Sequence, residues 1–276
     1  MSDSPSLLVE KNPWLALRQH TDARIALGRV GASLPTEAML AFDLAHALAR
    51  DAVHAALDVP RLAADLAAIG LASTNVTSQA HDRAAFLLRP DLGRRLHPQS
   101  ALDLGRFGGS GDVAFLLGDG LSAVAVQTHA VPLLAALIPR LDPALRLAPV
   151  VIATQARVAL GDEAGALLGA RVVVVLIGER PGLSSPDSLG AYLTHGPRPG
   201  RTDAERNCVS NIRPAGLGFD EAARKLGWLV REALARGLSG VPLKDDSDVP
   251  ALPDEVQDRG GNWSPAPVTA LPESSS

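Results

Sequence analysis

The chain has 276 residues, of which 46% are apolar and 20% charged, with a formal net charge of −4. This composition allows a sizeable core in one or two domains and excludes wholesale disorder, which requires low hydrophobicity and high net charge. Seven acidic and two basic residues fall in 244–276, so residues 1–243 carry a net charge of +1. Proteins that bind nucleic acid need a basic face and aromatic side chains on which bases stack. Residues 1–243 are nearly neutral and the whole chain has only nine aromatic residues, so we predict no binding to nucleic acid.

The single cysteine, Cys208, excludes an intrachain disulfide and any cysteine-based metal site. The seven histidines have no paired metal-ligand spacing, so we expect no metal site. The N-terminus does not have the basic and apolar segments of a signal peptide, and the longest apolar run of the second half, 172–177, is far shorter than the ~20 residues of a membrane-spanning helix. The sequence therefore predicts a cytoplasmic protein that does not enter a membrane.

The first 68 residues are predicted to form a helical region. Asn12 followed by Pro13 is typical of a helix start, since the Asn side chain can cap the helix and proline has no amide donor to leave unpaired. A longer helix is predicted from near Pro35, and a third spans 60–70. Apolar residues of the longer helix recur every three or four positions and share one face: Met39, Phe42, His46, Ala49, Val53 and Leu57. These helices cannot make a large core alone, so we expect them to pack on another part of this chain or on a partner.

Residues 69–243 have the pattern of an α/β domain. Apolar runs of strand length alternate with helical stretches, and the run 172–177 is apolar on both faces, as in a central parallel strand. This alternation predicts a three-layer α/β fold with a mainly parallel sheet. The predicted strands are 113–117, 149–153 and 172–177, and the predicted helices are 121–140, 162–168 and 220–236.

Residues 244–276 differ in composition from the rest of the chain. They are acidic and rich in proline and serine. Such a segment cannot bury enough apolar surface to offset the entropy of ordering. We therefore predict a disordered tail.

Three loops follow the predicted strands: 118–122, 155–158 and 178–183. The carboxyl ends of parallel strands meet at one edge of a sheet, where ligands bind, so these loops predict a ligand site. Asp119 has a second interpretation, in which Gly118 and Gly120 only form a turn and Asp119 caps the next helix.

Glu179 and Cys208 each have a structural alternative. Glu179 could form a solvent-exposed pair with Arg180, but its place between a buried strand and a Pro-Gly turn favours a ligand contact. Cys208 could be a nucleophile, a ligand contact or a small buried residue. A nucleophile needs a base within reach, and none is indicated, so a buried and inert residue is the default interpretation.

Short segments spread over residues 12–243 resemble the small (light) subunit of ethanolamine ammonia-lyase. Each segment alone is a weak signal, but their order over most of the chain makes the resemblance specific. The segments are 12–14, 21–29, 44–47, 49–54, 89–96, 119–122, 178–183 and 208–212.

The resemblance implies a helical region, 1–68, that packs on a large subunit, and a Rossmann-like three-layer α/β domain, 69–243. It also implies that adenosylcobalamin is held between the two subunits, with contacts from this chain at Val158, Glu179 and Cys208. In this family the large subunit carries the substrate pocket, so no catalytic residue is expected in this chain.

The activity that the resemblance implies is radical conversion of ethanolamine to acetaldehyde and ammonia, by a hetero-oligomer of large and small subunits. The expected location is the cytoplasm, with a bacterial microcompartment as the second option. Two alternatives stay open: a stand-alone Rossmann-type enzyme that uses Asp119, Glu179 or Cys208 directly, and a non-catalytic assembly module. The missing dinucleotide fingerprint counts against the first of these.

Overall fold

Six strands form one sheet in the order β1-β3-β2-β4-β5-β6. The structure is a computed structural model that describes residues 9–109 and 111–248. The strands are β1 (Ser73–Thr77), β2 (Val113–Gly118), β3 (Val150–Thr154), β4 (Val172–Gly178), β5 (Leu189–His195) and β6 (Asn207–Ile212). The α-helices are α1 (Thr36–His54), α2 (Val59–Ala68), α3 (Arg83–Leu88), α4 (Pro98–Gly105), α5 (Ala123–Leu137), α6 (Leu160–Leu168) and α7 (Phe219–Arg236). Short 3-10 helices include Pro13–His20, where the Asn12 side chain accepts a hydrogen bond from the Trp14 amide and confirms the predicted start.

The sheet is mainly parallel, as predicted, but not throughout. Strands β1, β3, β2 and β4 pair in parallel, whereas β4–β5 and β5–β6 are antiparallel. The run 172–177, predicted as a central parallel strand, is central and pairs in parallel with β2, but its other neighbour, β5, is antiparallel. The run is apolar on both faces because helices cover the sheet on both sides, whatever the direction of the adjacent strand.

Helices on both faces of the sheet confirm the three-layer architecture. Alternate residues of β4 point to opposite sides. Val172, Val174 and Leu176 belong to a core with α2, α5 and α7, and Val173, Val175 and Ile177 belong to a core with α4 and α6. The closer description of the domain as Rossmann-like stays a prediction.

Helix α5 is unusually apolar for a helix of a globular domain. With the 3-10 turn that follows, Ala123–Arg140 is long and apolar enough to cross a membrane by length and composition. Eight residues of α5 are buried, however, between the sheet and helices α2 and α7. A helix covered on several sides is expected to be apolar on several faces, so its position in the core accounts for its composition.

The N-terminal region divides into a packed and an exposed part. Leu62 and Leu66 of α2 are fully buried in the larger core. In α1, in contrast, the buried residues are Ala45 and Ala52, and the predicted apolar stripe that includes Met39 is largely exposed. The predicted helix is confirmed, but most of its larger apolar side chains are exposed. The division into domains 1–68 and 69–243 stays a prediction.

The start of the predicted tail lies against α7. Lys225 Nζ pairs with Asp245 at 3.5 Å and with Asp248 at 2.7 Å, and Arg224 also pairs with Asp248. The rest of the predicted disordered segment, from residue 249 onward, lies outside the described residues.

Candidate functional site

A cavity of about 460 Å³ lies at the carboxyl ends of β2, β3 and β4. The chain leaves β2 for α5 on one face of the sheet and β3 for α6 on the other, so the two connections separate and leave a crevice. The three predicted loops meet there. Gly120 has a φ of +55°, and an added Cβ would overlap the Gly178 carbonyl oxygen, so only glycine allows these loops to approach so closely.

Glu179 lines the cavity with its carboxylate held in a fixed place. Its Oε2 accepts hydrogen bonds from the Ser188 hydroxyl and, at 3.2 Å, from the Asn211 amide. Its side chain lies over Gly190, where an added Cβ would come within 2.8 Å of Oε1. Glu179 is half-buried and forms no ion pair with Arg180 within the described part of the chain. The alternative in which Glu179 forms a solvent-exposed ion pair with Arg180 is therefore wrong.

Val158 and Tyr192 contribute the less polar part of the cavity wall. Val158 precedes α6, and its carbonyl oxygen accepts a hydrogen bond from the Gly161 amide at 3.0 Å. Tyr192 projects from β5 on the same side of the sheet, among residues that pack with α6. Burial raises the pKa of the Tyr192 hydroxyl, so it remains protonated at neutral pH.

Cys208 lies in β6 directly opposite Tyr192. It is exposed, so the default interpretation of a buried residue is wrong. Shielding by the neighbouring wall raises the pKa of its thiol, and the Glu179 carboxylate acts in the same direction. A thiol with a raised pKa is a weak nucleophile at neutral pH, which leaves a ligand contact as the better role. Across residues 9–109 and 111–248 no group of three or more His, Cys, Asp or Glu residues could hold a metal.

Asp119 does not cap α5, contrary to one interpretation of the sequence. Ser122 occupies the cap position, and its Oγ accepts a hydrogen bond from the Ala125 amide. The buried Asp119 carboxylate instead accepts hydrogen bonds from the amides of Gln155 at 2.8 Å and Ala156 at 2.9 Å. Asp119 therefore fixes the loop after β3 to the loop after β2, and its role is structural.

Two arginines stack on one phenylalanine ring beside the cavity. The guanidinium carbons of Arg157 and Arg83 lie 4.1 Å and 4.6 Å from the centroid of Phe86. Burial lowers the pKa of both guanidinium groups, and the charges of Arg83 and Arg94 lower that of Arg157 further. Arg157 lies in the predicted rim loop 155–158, but no pattern in the sequence indicates a role for it. Arg83 is distant in sequence from the rim loops, so no local pattern places it beside the cavity.

A buried ion pair joins the segments that carry Val158 and Cys208. Arg206, just before β6, donates two hydrogen bonds to Asp162 of α6, at 2.6 Å and 2.7 Å. Both side chains are almost fully buried. Losing one partner of such a pair leaves an uncompensated buried charge, so the pair holds β6 and α6 in a fixed relation.

The chain is similar to known proteins over most of its length. Residues 11–244 match the family model of the ethanolamine ammonia-lyase light chain. The chain is 62% identical to the ethanolamine ammonia-lyase small subunit of Bradyrhizobium diazoefficiens, over 87% of this chain and 93% of that protein. It is 56% identical to the small subunit of Azotobacter vinelandii, over 88% and 92%, and 52% identical to that of Pseudomonas fluorescens, over 94% and 97%. The chain therefore belongs to the family of ethanolamine ammonia-lyase small subunits.

Proposed function

We propose that this cavity forms one wall of an adenosylcobalamin site that the large subunit of ethanolamine ammonia-lyase completes. The observation that carries the proposal is the convergence of Val158 and Glu179 in one cavity, next to Tyr192 and its neighbour Cys208. Val158, Glu179 and Cys208 are the residues at which the sequence resemblance implies cofactor contacts. Three separate segments of the chain supply them.

The residues present suit the edge of a corrin ring. Its rim carries amide groups, which donate hydrogen bonds to a carboxylate and accept them from N–H groups. Oε1 of Glu179 accepts no hydrogen bond from a described residue and is free for such a donor. Val158 and Tyr192 offer apolar surface to the ring system. A cavity of about 460 Å³ is too small for the whole cofactor, so a second subunit must cover the remainder.

This chain binds and orients the cofactor and keeps water from it, while the large subunit holds the substrate. When bound, adenosylcobalamin supplies a carbon-centred radical by homolysis of its Co–C bond, and the reaction converts ethanolamine to acetaldehyde and ammonia. Exclusion of water protects such reactive species. None of the residues around the cavity is assigned a reaction with substrate, so the isolated chain is expected to be inactive.

The partner surface and the location follow from the same proposal. The exposed face of α1 that carries Leu40, Leu44 and Leu48 packs on the large subunit, and the active enzyme is a higher-order hetero-oligomer. The enzyme works in the cytoplasm, and enclosure in a bacterial microcompartment is the second option for its location.

The first experiment measures acetaldehyde and ammonia released from ethanolamine and adenosylcobalamin. Three samples are assayed: the purified chain alone, its cognate large subunit alone, and the mixture of the two. We expect turnover only in the mixture. Turnover by this chain alone, or no turnover in a mixture whose large subunit is folded, would contradict the proposal.

The second experiment tests the cavity directly by titrating cyanocobalamin into the reconstituted complex and recording its absorbance spectrum. Glu179→Ala removes a charge-assisted contact, and we expect the Kd to rise about tenfold or more. Glu232→Gln, on α7 and on the opposite side of the sheet, is the matched control and should leave the Kd unchanged. An unchanged Kd for Glu179→Ala would exclude Glu179 from the site.

A further inference from the structure

We propose that Arg157 binds the phosphodiester group in the nucleotide loop of the cofactor. The inference rests on the proposed function, since it names a further contact of the same site and the part of the ligand that it recognises. Arg157 is adjacent to Val158 in sequence and lines the same cavity.

Arg157 is held in position before any ligand arrives. Its amide donates a hydrogen bond to the Gly93 carbonyl at 2.8 Å, and its Nη2 donates one to the Phe86 carbonyl at 3.2 Å. Its guanidinium stacks on the Phe86 ring, and its stem occupies the space over Gly93, where an added Cβ would come within 2.9 Å of Cγ. A side chain fixed in this way loses little entropy on binding.

The guanidinium nevertheless has unused hydrogen-bond donors. Nε is buried and has no hydrogen-bond partner. Nη1 donates to none of the described residues, and Arg157 forms no ion pair with any of them. Nε–H and Nη1–H lie on different edges of the guanidinium, but the second Nη2 hydrogen lies beside one of them. A fixed cation at the edge of a cavity can therefore still contact an anion at two points.

Arginines outnumber acidic residues around Arg157, where the acidic groups are Asp119 and, in the same cavity lining, Glu179. Arg180 lines the cavity without an ion pair to a described residue, and Arg83 and Arg94 lie near enough to Arg157 to affect its titration. The Asp119 carboxylate has both oxygens occupied by backbone amides. This arrangement attracts a negatively charged group rather than an amide.

The ligand has one group that matches these donors. The amides on the rim of cobalamin are uncharged, whereas the phosphodiester of its nucleotide loop carries a negative charge. Arginine is suited to phosphate because its planar donors can contact two oxygens together. An acidic side chain of the large subunit could also pair with Arg157, and the experiment must separate these two outcomes.

The test compares two probes on the reconstituted complex: cyanocobalamin, and dicyanocobinamide, which lacks the nucleotide loop with its phosphodiester. Arg157→Gln should weaken cyanocobalamin binding about tenfold or more, as for loss of a charged hydrogen bond, and change dicyanocobinamide binding less than about twofold. Arg157→Lys, which keeps the charge but not the planar donors, should give an intermediate loss. Arg89→Gln, an exposed arginine paired with Asp91, is the control and should change neither.

A second measurement does not depend on the affinity of dicyanocobinamide. The Kd of cyanocobalamin should rise with NaCl concentration, because an ion pair is screened by salt, and the dependence should be weaker in Arg157→Gln. Equal weakening of both probes, an unchanged Kd for cyanocobalamin, or the same salt dependence as in the unmodified complex would overturn the assignment to the phosphodiester. If the unmodified complex does not bind cyanocobalamin, the proposed function itself fails and the inference fails with it.

Discussion

The carboxylate of Glu179 depends on the absence of a side chain at Gly190. An added Cβ there would come within 2.8 Å of Oε1 and 3.1 Å of Cγ, so Glu179 would have to move. Its hydrogen bonds with Ser188 and Asn211 would be lost or lengthened. A residue that touches no ligand therefore determines where a proposed ligand contact lies.

We predict that Gly190→Ala weakens cyanocobalamin binding to the complex nearly as much as Glu179→Ala does. The two lost hydrogen bonds should lower the free energy of unfolding by about 1–2 kcal/mol, which the fold can tolerate. Because both changes remove the same contact, the double variant should bind only slightly more weakly than either single variant. Titration of the two single variants and the double variant measures this.

Gly218→Ala is the control for these variants, because an added Cβ at Gly218 meets no atom within 4 Å. It should leave the Kd unchanged. Additive losses from Gly190→Ala and Glu179→Ala would mean that Gly190 acts on binding by some route other than the Glu179 side chain.

At the scale of the elements, α6 controls one side of the cavity because it begins just after Val158. Two glycines allow this helix to lie close to the sheet. An added Cβ at Gly161 would overlap Cγ2 of Val175, and one at Gly165 would come within 3.1 Å of the Cβ of Val173. Any larger residue at these positions would push α6 away from β4 and Val158 out of the cavity wall.

We predict that Gly161→Ala lowers the free energy of unfolding by about 1–3 kcal/mol, since overpacking exceeds the gain in helix propensity. Gly105→Ala, at the end of α4 with open space around it, is the matched control. It should be neutral or stabilise the protein by up to about 1 kcal/mol. Urea unfolding measures the free energy of unfolding of the two variants. Equal values would show that close packing of α6 on the sheet is not the reason for glycine at position 161.

At the scale of the whole molecule, one helix has an apolar face that this chain does not cover. Leu40, Leu44 and Leu48 are spaced by four residues along α1 and are 63%, 62% and 51% exposed. Residues with this spacing share one face of a helix. A row of exposed leucines is typical of a surface buried in a complex, and the family name, small subunit, implies a large subunit.

We predict that Leu44→Lys leaves the free energy of unfolding of the isolated chain within about 0.5 kcal/mol, because Leu44 is exposed there. The same change should weaken association with the large subunit about tenfold or more, because it places a charge in an apolar interface. Sedimentation velocity over a range of concentrations measures the association. Leu102→Lys, a leucine of α4 that is 68% exposed, is the control, and equal effects of the two changes would contradict a specific interface on α1.

Much of the fold could be predicted where hydrophobic periodicity is strong. Strands β2, β3 and β4 are buried on most or all positions, and their apolar runs were found within one or two residues. Strands β1, β5 and β6 were not predicted. The sequence Ser-Thr-Asn-Val-Thr of β1 and the mostly unburied residues of β6 give little apolar signal, because both strands lie at edges of the sheet.

The sequence by itself determined the α/β class, the three rim loops and, through resemblance, the family. These depend on local patterns or on short motifs that can be read in order along the chain. The cofactor contacts at Val158, Glu179 and Cys208 stay predictions. Only the tertiary structure decided that β5 runs antiparallel to β4, that Asp119 joins two loops, and that Arg83 and Arg157 meet on Phe86. Each of these depends on which distant segments come together, and the pairing of distant segments leaves no periodic trace in the sequence.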